Sequence, residues 1–252
     1  MFDYDAKNGT DEAKLVDIPD INAPAFQLML NFIYTRDLKG LDGCNIIGVL
    51  YAAHKYDLPE LTTKACKKVP IPKLSNVFFA VVDTKLLGLN HFSRRCLAYI
   101  DQNATTLLKA DEFLQIDQQM LCDILKRDQL KINDELTIWN AALRWADCQC
   151  ERKGMECSAK NRRELLNSAL FKIRFPNITK TDFAQEIVPS GVLTAHEVAA
   201  IYNYNAYPIN GKDGPPLMDL QMNFPFHGRI SDWNKPFKKR ATLSMEIEKV
   251  FP

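Results

Sequence analysis

Apolar and polar positions alternate along most of this chain with the period of a helix, and the clearest stretch runs from Ala110 to Ala146. Met120, Leu121, Ile124 and Leu125 recur at i, i+1, i+4 and i+5, a stripe that has to be buried against a neighbour. Asp117 stands just ahead of it, where a carboxylate accepts from the unpaired N–H groups of a first turn. A second run starts near Asn133 or Asp134, another cap candidate. It sets Ile138, Ala142 and Trp145 on one side, with Trp139, Leu143 and Ala146 beside them. Between the runs, Asp128 to Asn133 is a short connector with Leu130 and Ile132 at alternate positions. The pattern is a helix, a corner and a second helix, and tryptophans at this spacing inside an apolar stripe read as core more than as a binding pocket.

The same reading carries along the rest of the chain. Residues 1–14 are polar and turn-rich and read as loop, and Leu15 to Ile18 is a short strand candidate ended by Pro19. From Asn22 a helix is expected, with Phe26, Met29, Leu30, Ile33 and Tyr34 as its inward stripe and Pro24 tolerated in the first turn. Gly40 and Gly43 interrupt the chain. A second helix turns Ile46, Ile47, Leu50 and Ala53 inward and has Tyr56 near its end, and Pro59 opens a third, covering Leu61 to Val69. Pro70 and Pro72 mark a boundary, followed by helices over Leu74–Leu87 (Val77, Phe78, Val81 and Val82 inward) and Asn90–Ile100 (Phe92, Cys96, Leu97 and Ile100). After the central stretch, Cys148–Ser158 reads as a polar connector. One helix is expected over Asn161–Pro176, burying Leu165, Leu166, Ala169 and Leu170. Thr194-Ala-His-Glu197 has the spacing of a capping box and opens a last helix through Val198, Ile201 and Tyr202.

The order of residues in the central stretch resembles the BACK domain, the helical module that follows a BTB (POZ) domain in ubiquitin-ligase adaptors. The residues that carry the likeness are Glu112-Phe113-Leu114, Ile116, Leu121, Ile124, Leu125, Asp128, Leu130, Ile132, Glu135, Ala142 and Trp145. Upstream, Asp17 to Asp20, Ala25-Phe26, Leu30 to Thr35, Leu50 to Tyr56 and Leu58 to Leu61 resemble the C-terminal half of a BTB domain. A complete BTB domain holds further strands, a dimer-forming helix and part of its core ahead of these residues, so the chain is expected to be an N-terminally truncated BTB fold that leaves apolar surface uncovered. Arg162, Arg163, Leu166, Ile173 to Pro176, Phe183, Ser190, Gly191, Leu193, Glu197 and Val198 bring the likeness closest to the BTB–BACK proteins that end in a PHR domain, a β-sandwich. The resemblance implies a mainly α fold: residues 1–69 as a partial BTB domain, 70–207 as a BACK domain with a connecting helix pair over 74–102, and 208–252 as a linker or irregular tail, in which the start of such a sandwich would lie.

The function implied by the resemblance is that of a non-catalytic, substrate-specific adaptor of a cullin–RING ubiquitin ligase. Its partners would be a cullin N-terminal domain and an unidentified substrate protein, with homodimerisation if the missing BTB half is present. By resemblance Tyr56 and Leu58 lie on the cullin side. For Tyr56 two readings stand together: an exposed aromatic hot spot, or a ring packed on Leu61 in its own fold. The family's second cullin determinant, a hydrophobic residue two before a Glu, is missing after Met1-Phe2, since Tyr4-Asp-Ala6 lacks the acid and Glu12 follows Thr10. The alternative is a BTB-type scaffold or transcription cofactor that acts without a cullin.

Composition narrows the other classes. Across 252 residues, 32 basic and 31 acidic side chains leave a net charge of +1, which supplies no global field for nucleic acid or an anionic membrane. No apolar run approaches the ~20 residues of a bilayer span. Seven cysteines, an odd number scattered over helical faces, read as reduced thiols in the cytoplasm. The histidines are isolated, the i, i+2 spacing of Cys148 and Cys150 sends their side chains to different faces even with Cys157 nearby, and Gly211 to Gly214 lacks the context of a phosphate loop. The chain is therefore expected to be no enzyme and to hold no metal or cofactor. Lys235 to Arg240 is a short basic cluster, read as a solvated charge run before a nuclear-localisation or nucleic-acid signal.

Overall fold

The computed structural model describes residues 17–71 and 76–206. It is helical, and no strand occurs among the described residues. The chain divides into two compact units, Met1–Ser75 and Asn76–Pro252. The loop expected over residues 1–14, Leu15 and Val16 of the strand candidate, and the tail from 208 with its basic cluster lie outside the described residues. Asp17 and Ile18, which are described, are not in a strand.

Among its described residues the first unit has three helices, α1 (Ala23–Thr35), α2 (Ile46–Lys55) and α3 (Pro59–Lys68). Asn22 caps α1, its side-chain oxygen accepting from the Ala25 N–H at 2.9 Å. The helices pack in sequence, α1 on α2 and α2 on α3. The buried stripe of α1 is Ala25, Leu28, Met29 and Phe32, not the set expected from the largest apolar residues: Ile33 and Tyr34 are exposed, Tyr34 by 82%. The reason is a close helix crossing. A Cβ placed on Gly48 of α2 would come within 3.0 Å of the Ala25 Cβ, so the two small residues face each other and set the rotation of α1. Phe32 is covered by the cationic groups of Arg36 and Lys64, 5.5 and 5.3 Å from its ring centre, which share Glu60 as counter-ion.

In the second unit, α4 (Val77–Leu86) and α5 (Asn90–Gln102) form a helical hairpin. Gly88, at φ +67°, makes the turn: its N–H donates to Lys85 O and the Leu89 N–H to Thr84 O, the paired bonds of a Schellman stop. The single turn α6 (Ala104–Leu107) and a 3₁₀ turn at Asp111–Gln115 lead to α7 (Gln118–Leu125) and the long α8 (Glu135–Arg152). Asp117 and Asp134 cap these two helices as expected, accepting from Met120 and Thr137 N–H at 2.7 Å each. The expected inward residues of α8 are buried except Leu143, which is half-buried.

Past α8 two expectations fail for tertiary reasons. The supposed connector from Cys148 is helical through Arg152, because Cys150 is buried and Gln149 and Arg152 both donate to Leu114 O, at 3.0 and 3.1 Å. The single helix expected over 161–176 is α9 (Ala159–Leu166) followed by 3₁₀ turns at Asn167–Lys172 and Phe175–Asn177. Asn167, at φ +42°, stops α9, and Pro176 sits in the first turn of the last piece instead of ending a helix. The Arg174 N–H, released from helical bonding, donates to the buried Glu135 carboxylate of α8 at 3.0 Å. The chain continues through α10 (Lys180–Asp182), a π turn at Phe183–Ile187, a 3₁₀ turn at Val188–Ser190, and α11 (Ala195–Ala206). The capping box is present: Glu197 N–H donates to Thr194 Oγ1 at 3.2 Å and Thr194 N–H to Glu197 Oε2 at 2.8 Å. Aromatic rings run from the core outward, with Trp139, Phe175, Phe183 and Tyr202 at successive centroid distances of 5.6, 6.4 and 5.2 Å.

Candidate docking surfaces

Tyr56 and Leu58 stand at the turn between α2 and α3, and that turn is built by the backbone. Tyr56 N–H donates to Ala52 O at 3.0 Å, Asp57 N–H to His54 O at 3.2 Å and Leu58 N–H to Ala53 O at 2.8 Å. This is again a Schellman stop, but here the left-handed position is Asp57, at φ +52°, where glycine is usual. Leu58 then accepts from Thr62 N–H at 3.2 Å, and Pro59 begins α3 with the φ its ring already favours. The side chain of Leu58 is half-buried.

The Tyr56 ring is 41% exposed. Its aromatic neighbour is Phe26 of α1, centroid to centroid 6.3 Å, and the Lys55 ammonium lies 5.8 Å from its ring centre. Lys55 also bonds both oxygens of Asp20, at 2.7 and 2.9 Å, and the Tyr51 hydroxyl donates to the same carboxylate at 2.7 Å. Asp20 is held below the usual carboxylate range by Lys55 first and Tyr51 second, while the shared carboxylate pushes Tyr51 and Lys55 upward. All three are solvated, so this cluster orders side chains more than it stabilises the fold. The result is a surface of exposed aromatics, Tyr51 and Tyr56, around one ion pair. Sequence reading singled out Tyr56, whereas Asp20 and Tyr51 entered only through the BTB likeness, because the hydrogen bond between them joins residues 31 positions apart.

A second surface lies in the other unit. The buried face of α4 is Val77, Phe78, Ala80, Val81 and Thr84. Its opposite face carries Phe79, 43% exposed, and Leu86, 79% exposed, at i and i+7. Large apolar residues at that spacing on an outer face are the pattern that helix-in-groove and helix-on-helix recognition use. Among the described residues, no group of His, Cys, Asp or Glu is arranged to hold a metal ion, and no helix is long and apolar enough to cross a membrane.

Two family models match this chain: the BTB/POZ domain over residues 1–71, and BACK, "BTB And C-terminal Kelch", over residues 80–188. BTB/POZ domain-containing protein 3 of Homo sapiens is 35% identical over 204 residues, which are 80% of this chain and 38% of that protein. BTB/POZ domain-containing protein 6-B of Danio rerio is 33% identical over 204 residues, 80% of this chain and 41% of its own. BTB/POZ domain-containing protein 6 of Homo sapiens is 31% identical over 189 residues, 74% and 35% of the two chains. The chain thus spans about two-fifths of the length of the curated relatives it matches.

Proposed function

The chain belongs to the BTB/POZ proteins that carry a BACK domain, and from that premise we propose that it works by protein–protein recognition, as an adaptor in a cullin–RING ubiquitin ligase. The observation that carries the reading is the Tyr56 turn. An exposed aromatic ring with a polar tip stands on a turn whose backbone is held by three hydrogen bonds, so little backbone order remains to be gained on binding. Tyr56, with Leu58 beside it, is the proposed cullin contact in the first unit. Phe79 and Leu86 on the outer face of α4 are proposed contacts in the second. Substrate recognition would fall to sequence outside the described residues, and a PHR-type sandwich is the proposed carrier. The proposed domain limits are 1–69 for the BTB portion and 70–207 for BACK, with a cytoplasmic location.

Calorimetric titration with a cullin N-terminal domain tests the reading. Low-micromolar or tighter binding is expected. Tyr56→Ala should weaken it by roughly 30-fold, the loss typical of a hot spot of about 2 kcal/mol. A chain that is folded by circular dichroism yet gives no heat would overturn the cullin assignment. The same surfaces would then belong to a scaffold or transcription cofactor.

A further inference from the structure

The outer face of α4 carries a charge among its apolar side chains. At ~100° per residue, Phe79, Val82, Asp83 and Leu86 fall within about a third of the helix circumference. They lie opposite the buried Val77, Val81 and Thr84. Phe79 and Leu86 are exposed, and Val82 and Asp83 are half-buried beside them. A carboxylate withdrawn from water in this way is ordinarily met by a cation, as Asp123 of α7 is by Lys85 and Lys126 at 3.2 and 2.6 Å. Asp83 is not: among the described residues no side chain or backbone group bonds its carboxylate. Lys85, two positions along, is turned to Asp123 instead. Burial raises the Asp83 carboxyl above its ordinary range, with no cation to offset it.

We propose that Asp83 is a specificity-determining residue of the α4 surface, and that the segment docking there is apolar with one Lys or Arg set between the side chains that cover Phe79 and Leu86. Complementarity of charge selects this occupant. A wholly apolar segment would strip the remaining water from Asp83 and leave its carboxylate unpaired, which is costly. A second copy of this chain laid on the same face across a two-fold axis would bring Asp83, in the middle of the patch, toward its own counterpart, like charge to like. A basic residue in an apolar segment instead turns the unanswered carboxylate into the acceptor of a charge-assisted hydrogen bond. Phe79 and Leu86 then supply contact area, and Asp83 fixes register and rejects segments without the cation. The inference rests on the reading of this face as a cullin contact and adds to it the charge that is recognised.

The full chain, Asp83→Asn and Asp83→Lys are each titrated calorimetrically with a cullin N-terminal domain at about 50 and 300 mM salt, after circular dichroism shows that the variants are folded. Asp83→Asn should weaken binding by about tenfold at low salt, and Asp83→Lys by more, since a like charge then faces the partner's cation. The gap between the parent and Asp83→Asn should narrow at high salt, where the parent's attraction is screened and the amide has none to lose. Asp83→Asn binding as tightly as the parent, or more tightly, would overturn the inference and leave the cullin contact standing. So would a gap that does not change with salt. A folded parent chain that gives no heat would overturn the cullin reading and this inference with it.

Discussion

In residues 17–71 the ion pairs between elements lie at the surface, whereas in residues 76–206 two of them, Arg127–Asp101 and Arg163–Glu197, end on buried carboxylates. Asp20 with Lys55 and Tyr51, and Arg36 with Glu60, are solvated pairs on the first unit. In the second, Arg127 forks onto the buried Asp101 with two bonds of 2.6 Å, and the Lys131 N–H donates to Asp101 O at 2.8 Å. Arg163 grips the buried Glu197 at 2.8 and 2.9 Å and also donates to Val192 O. Arg174 bonds Asp128, and its backbone N–H uses Glu135. Trp145 donates to Ile116 O at 2.9 Å and Arg144 to Leu108 and Ala110 O at 3.0 Å each, so one side of α8 serves the carbonyls of the segment before α7. Buried donors and acceptors are costly to strand, so the second unit has many positions where one polar truncation is felt. The first has few, and its specificity lies in close packing.

The largest expected effect is in the second unit. Trp139→Ala removes the largest fully buried side chain and the ring that meets Phe175, and should cost about 3–5 kcal/mol in urea unfolding. Glu135→Ala would leave the Arg174 N–H without its carboxylate acceptor, at about 1–3 kcal/mol by the same assay. Gly48→Ala is the counterpart in the first unit: the added Cβ meets Ala25, and about 1–3 kcal/mol is expected with α1 displaced. Equal stability of that variant and the parent would mean that the crossing does not set the rotation of α1.

A smaller effect separates the units by pH. Burial works to raise the Glu197 carboxyl, but the Arg163 guanidinium and the Thr194 N–H outweigh it and leave the group below its ordinary 4.5. With the folded value depressed, the stabilisation is complete above pH 4.5 and is lost as pH falls through the lower folded value. Glu197→Gln should therefore flatten the acid limb of the second unit's stability curve, while an unchanged limb would refute the role of this pair. The smallest effect is expected from Asp20→Asn, which should leave the unfolding midpoint unmoved because the group is fully solvated. A clear destabilisation would erase the contrast between the units.

Much of this was legible in residue order. Helical periodicity located the helices, and local chemistry marked their ends: Asn22, Asp117, Asp134 and Thr194 are caps whose bonds span three residues, so no distant partner is needed to find them. The residues resembling BACK, from Phe113 through Trp145, are mostly core or bonded to core, as in Phe113, Leu121, Leu130 and Glu135. Tertiary contact decided the rest. The buried side of α1 follows from Ala25 meeting Gly48, two residues that contribute little to an apolar pattern. The stop at Asn167, beside a Leu166 O that accepts from Gln118, and the extension of α8 to Arg152, where Gln149 and Arg152 reach Leu114 O, depend on partners folded back from elsewhere in the chain. Propensity and capping are sums over neighbours in sequence, while helix rotation and helix length are settled by which surfaces exclude water together.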